Sequence, residues 1–118
     1  MVIKKFEDLI AWQKAQDFAV DIYAVFDNNK DYSYRNQICS AVVSISNNIA
    51  EGFDRSSDAD FSRFLYISLG SCSEVKSMVY LANRLGYIAD ERKNKILDDA
   101  NEVSRIIRGL IKSLQTKK

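Results

Sequence analysis

Apolar residues return every three or four positions in four separate blocks of the chain. A helix of 3.6 residues per turn brings positions i, i+3, i+4 and i+7 onto one face, so this rhythm predicts four amphipathic helices. In the first block Leu9, Trp12, Ala15, Ala19, Ile22 and Phe26 keep the spacing and predict a helix over about residues 8–26. Phe6 stands just ahead of it, placed to staple back onto the first turn. In the second, Ile38, Val42, Ile45, Ile49 and Phe53 predict a helix over about 33–54, with Ser33 as its N-cap. In the third, Phe61, Leu65, Ser68, Cys72, Val75, Val79 and Ala82 predict a helix over about 58–85. Ser57 with Asp60 three residues on resembles a capping box, and Gly86 stands where a helix commonly stops. In the fourth, Ile96, Ala100, Val103, Ile107, Leu110 and Leu114 predict a helix over about 90–114, capped by Asp90.

Between the blocks lie polar stretches rich in turn formers, Asp27 to Asp31 and Ser56 to Asp60. Connections this short make neighbouring helices antiparallel. The chain holds no proline, and glycine stands only at 52, 70, 86 and 109, so nothing forces long helices to break. No strand pattern competes. The expected architecture is all-α: an antiparallel up-down-up-down four-helix bundle, one domain over residues 1–118.

The predicted helices have more than one marked face. On the second, Ser40, Ser44, Asn47, Glu51 and Arg55 fall in one polar sector almost opposite the core stripe. Between the two lies a strip of small residues: Cys39, Val43, Ser46 and Ala50. The third helix carries a second apolar strip of Ile67, Met78, Leu81 and Leu85. A helix in a monomeric bundle hides one stripe and wets the rest. Cys39, Val43, Ser46, Ala50, Ile67, Met78 and Leu81 are therefore the candidate contact between copies of the chain. The polar residues Asn47, Asn48, Glu51, Arg55 and Arg63, with Glu74, form a candidate recognition site; the alternative is a polar network that fixes helix register, or a solvated face. Arg55 and Arg63 are both placed to pair with Glu51.

Composition changes this picture little. Of 118 residues, 47% are apolar and 28% charged, which is globular and enough for a real core. The net charge of +1 is no blanket signature for nucleic acid, so any such surface is local. Arg105, Arg108 and Lys112 line one side of the fourth helix, with Lys117 and Lys118 beyond. They suit a helix C-terminus, or else contact phosphates. Histidine is absent, which removes the common base for a nucleophile and argues against Cys/His metal sites. Cys39 and Cys72 read as small buried hydrophobes, or as a disulfide if their helices face each other at one height. No Gly-rich phosphate loop occurs, and Asp98 and Asp99 lie on the polar side of their helix. No enzyme, no metal and no cofactor are expected. No signal peptide and no membrane span are visible, so the expected location is the cytoplasm.

Several runs of residues resemble those of a known family. Phe6 to Ala15 resembles the opening signature of the 23S rRNA intervening-sequence protein family, the small bacterial four-helix-bundle group. Ser44 to Arg55, with Asn-Ile-Ala-Glu-Gly at 48–52, resembles its central motif. Phe61 to Leu65 followed by Leu69-Gly70-Ser71 and Glu74 resembles the third block, and Leu85 to Ile88 the fourth. The family's name refers to reading frames inside intervening sequences of bacterial 23S rRNA genes and does not itself imply a ribosomal activity. The resemblance implies a left-handed four-helix bundle, often assembled as a ring-like homopentamer. It also implies likeness to the accessory protein of diversity-generating retroelements, a basic pentamer that partners a reverse transcriptase and binds nucleic acid. Family members commonly carry basic residues just before the Ala-x-x-Ser-Ile step; here Cys39 and Ser40 stand there. The functional expectation is a non-enzymatic homo-oligomeric interaction module, with the chain itself, as a pentamer, for partner. The alternative is an accessory subunit of a reverse transcriptase or other nucleic-acid enzyme, contacting RNA or DNA.

Overall fold

Each of the four blocks folds as a helix. The structure is a computed structural model that describes residues 3–115. The helices are α1 (Ile10–Val25), α2 (Tyr32–Phe53), α3 (Asp58–Arg84) and α4 (Asp90–Gln115), with a single 3-10 turn at Phe6–Asp8 before α1. Each packs on its neighbour in sequence and α1 closes on α4, so the helices stand in a ring in chain order. The bundle measures 49 × 21 × 20 Å, close to the length of α3, whose 27 residues span about 40 Å.

The core runs down the middle. Ile38, Val42, Ile45 and Ile49 of α2 face Leu65, Cys72, Val75 and Val79 of α3, all fully buried. Burial of each large aliphatic side chain contributes about 1.5–3 kcal/mol before conformational entropy is subtracted. Two predicted stripes are displaced. In α1 and its caps Leu9 and Phe26, the buried set is Leu9, Ala11, Ala15, Phe18, Ile22 and Phe26, whereas Trp12 and Ala19 are half-buried. Trp12 instead meets Phe6 edge-on at 5.4 Å, the stapling contact at the start of the helix. In α4 Ile111 joins the predicted Leu114 among the buried residues near the end, and Leu110 is half-buried.

The helix ends show why the chain turns where it does. Asp31, not Ser33, caps α2: its carboxylate accepts from the Tyr34 backbone N–H at 3.2 Å. Ser57 caps α3, its hydroxyl accepting from the Asp60 backbone N–H at 3.1 Å. Asp90 is the first residue of α4, and its side chain accepts from Asn83 at 2.8 Å. After α3, Gly86 takes φ +79, the left-handed region that favours glycine. There the Gly86 N–H donates to the Asn83 carbonyl and the Tyr87 N–H to the Ala82 carbonyl, a Schellman closure.

At one point α2 and α3 come unusually close. A Cβ on Gly52 would stand 2.6 Å from the Phe64 Cβ and 3.3 Å from the Phe61 carbonyl oxygen. Glycine is required here by the crossing of two helices, not by a turn.

Candidate functional site

The polar residues singled out from the sequence lie along the outer seam of α2 and α3. They do not converge on one pocket. At one end Arg55 donates to Glu51 at 3.0 Å, the i, i+4 pair. Arg63 pairs not with Glu51 but with Asp60 on its own helix, at 3.4 Å. Phe64 unites the two: the Arg55 guanidinium lies 4.8 Å and the Arg63 guanidinium 4.7 Å from its ring centre. Each carboxylate thus holds an arginine against the same aromatic ring. Sequence reasoning missed Phe64 as the organiser, because its i+3 distance from Phe61 reads simply as core.

Further along, Asn48 donates to the Ser44 carbonyl at 2.8 Å and to the Ser44 hydroxyl at 2.9 Å. The Ser44 and Ser71 hydroxyls meet at 2.9 Å across the helices. Ser68, fully buried, donates to the Ile45 carbonyl at 2.8 Å. The Asn48–Ser44 bonds lie within α2 and the Ser44–Ser71 and Ser68–Ile45 bonds cross to α3, so the members satisfy one another, which is the chemistry of a register lock. Glu74 is exposed one stretch further on, accepting from Gln37 at 3.5 Å. Asn47 is exposed on the α2 side of the seam.

The candidate contact between copies divides in two. Cys39 (8% exposed), Ser46 (1%) and Met78 (8%) belong to the subunit's own interior. The expectation that they face outward is corrected: Ser46 accepts from Gln16 of α1 at 3.0 Å, and the Met78 carbonyl accepts from Tyr34. Small or flexible residues at the edge of a stripe are drawn into the seam between helices. Val43 and Ala50 are half-buried, while Ile67 (42%) and Leu81 (46%) of α3 and its C-cap Leu85 (50%) stand well exposed along one line.

Arg105, Arg108 and Lys112 are all exposed on α4; Lys117 and Lys118 lie outside the described residues. The two cysteines are free, so the disulfide alternative is not taken. Burial pushes both thiols up, partly offset at Cys39 by Arg35, and at Cys72 by Ser104, Lys76 and Arg108. Neither is a thiolate nucleophile at neutral pH. Among the described residues no group of three or more His, Cys, Asp or Glu is placed to hold a metal ion, and no helix is long and apolar enough to cross a membrane.

The opposite end of the bundle is tied by aromatics. Burial drives the Tyr34 phenol far above its ordinary value, and its hydroxyl donates to the Met78 carbonyl at 2.6 Å. Its ring meets Phe26 and Tyr87, each at 5.5 Å. The Tyr87 hydroxyl donates to Asp31, the cap of α2, at 2.5 Å. A groove of about 810 Å³ lies between α1 and α4, lined by Asp21, Tyr87, Arg92, Lys95 and Asp99 with Val25 and Ile96 beneath. It is open to solvent, and Lys95 is already engaged with Asp99 at 2.6 Å.

Comparison with known proteins agrees with this architecture. The sequence profile of the 23S rRNA-intervening sequence protein family matches residues 7–109. A crystal structure of similar fold is that of a protein of unknown function from the S23 ribosomal protein family of Bacteroides thetaiotaomicron VPI-5482. It shares 30% identity, superposes with a TM-score of 0.81, and the match covers 87% of this chain and 99% of that one. No curated protein matches the chain.

Proposed function

The chain belongs to the 23S rRNA-intervening sequence protein family, and from that premise we propose that it works as a non-catalytic, homo-oligomeric interaction module of the bacterial cytoplasm. The observation that carries this is the line Ile67, Leu81 and Leu85 on α3, each between 42% and 50% exposed. Three large aliphatic side chains on one stripe are not what a solvated helix face needs. Covering them in a partner is favourable by about 25 cal/mol per Å² of apolar area, before association costs. The same chain is the partner that requires no other gene product, and five subunits is the number the family resemblance implies. The polar seam from Asn47 to Arg63 then sets the helix pair rigidly behind the contact.

Leu81→Asp tests the proposal. Leu81 is exposed, so the variant keeps its helicity by circular dichroism while its mass in light scattering falls to that of one chain. An unchanged mass would remove α3 from the contact.

A second role is favoured by the exposed row Arg105, Arg108 and Lys112 on α4: weak contact with RNA as an accessory subunit of a nucleic-acid enzyme. Three phosphate contacts on a single strand give a log–log salt slope of about −2. RNA affinity measured from low to high salt should follow that slope. Tight binding indifferent to salt would contradict it.

A further inference from the structure

The groove between α1 and α4 plays no part in the assembly proposed above. Its volume of about 810 Å³ falls within the range of small-molecule sites, roughly 300–1,000 Å³. Its floor is apolar: Val25 of α1 is half-buried, and Ile88 and Ile96 are buried. Ala24 and Ala89 line it too, and side chains this short leave the floor uncovered. At one end stands the Lys95–Asp99 pair, beyond which the cleft shrinks to about 210 Å³. At the other stands Tyr87, whose hydroxyl Asp31 holds at 2.5 Å. That wall is therefore fixed before a ligand arrives, and its ring offers an aromatic partner an edge or a face.

The charges around this floor decide what else a ligand carries. Lys95 donates to Asp99, and that bond, then the charges of Asp99, Asp21 and Asp98, hold its ammonium above the ordinary value. Asp21 of α1 thus stands close enough to α4 for its charge to be felt there. Yet among the described residues neither Asp21 nor Arg92 enters an ion pair, although both line the groove from opposite helices and both are exposed. A simple anion drawn to Arg92 would also meet Asp21 and Glu91, and a simple cation drawn to Asp21 would meet Arg92 and Lys95. A ligand with one charge of each sign satisfies both walls. The planar guanidinium of Arg92 suits a carboxylate, which it can grip with two parallel bonds. We propose that the α1/α4 groove binds a small zwitterion with an apolar body, the chemistry of an aromatic amino acid. Its carboxylate lies on Arg92, its ammonium on Asp21, and its side chain over Val25, Ile88 and Ile96.

L-tryptophan is the probe, and ligand-observed NMR reads its binding whatever the mass of the assembly. Two analogues separate the charges: tryptamine lacks the carboxylate and indole propionate lacks the ammonium. L-tryptophan should bind the wild-type protein saturably. Arg92→Gln should weaken L-tryptophan and indole propionate about tenfold and leave tryptamine unchanged. Asp21→Asn should weaken L-tryptophan and tryptamine about tenfold and leave indole propionate unchanged. Both positions are exposed, and circular dichroism should show both variants as helical as wild type. The proposal is overturned if L-tryptophan shows no saturable binding, if either variant binds it as wild type does, or if either variant loses both analogues alike.

Discussion

Gly52 shows how far a single residue can decide a helix crossing. Its missing side chain lets α3 approach until a Cβ would stand 2.6 Å from the Phe64 Cβ. Gly52→Ala should therefore destabilise by about 1–3 kcal/mol, the usual cost of overpacking, despite the better helix propensity of alanine. Thermal unfolding checks this; an equal or higher Tm would mean the helices part without cost. The sequence marks Gly52 only as a glycine inside a helical rhythm. What makes it necessary is Phe64, twelve residues on and on another helix. The same residue gathers Arg55 and Arg63, two members of the polar group read from the sequence, but the ring they share became legible only once α2 and α3 were paired.

Among the elements, the helices were readable and their edges less so. Periodicity placed all four because each buries a face over many turns. The α4 stripe shows the limit. A seven-residue repeat takes Val103 to Leu110 and Ile107 to Leu114, but a straight helix repeats every 3.6 residues, so Ile111, four on from Ile107, faces the core beside Leu114 and Leu110 turns partly out. The α2 cap was misassigned for a different reason: Asp31 and Ser33 are both good caps, and only the tertiary contact with Tyr87 favours Asp31. That contact has a pH signature. The Tyr87 hydroxyl, and after it the Tyr34 N–H, hold the Asp31 carboxyl below its usual value. A carboxyl whose folded pKa lies below its unfolded one supports the fold above the unfolded value, about 3.9, and loses that support as pH falls through the folded value. Asp31→Asn should therefore be less stable than wild type at neutral pH, with the gap closing near pH 2. Urea midpoints at the two pH values measure it; a gap of equal size at both would mean the charge is not what matters.

At the scale of the whole molecule, the fold leaves apolar side chains outside that its core does not need. The second apolar stripe of α3 was legible in the sequence, because Ile67, Leu81 and Leu85 share a face that the α3 seam does not use. Which small residues join the core was not: Ser46 and Cys39 look the same as Val43 and Ala50 until α1 is laid beside them. Assembly through the exposed Ile67, Leu81 and Leu85 is the property on which the proposed role depends. The most direct measurement is the molar mass of the wild-type protein by light scattering at micromolar concentration. The account predicts a multiple of 13.5 kDa, five-fold for the ring that the family resemblance implies. A mass of 13.5 kDa that does not rise with concentration would contradict it.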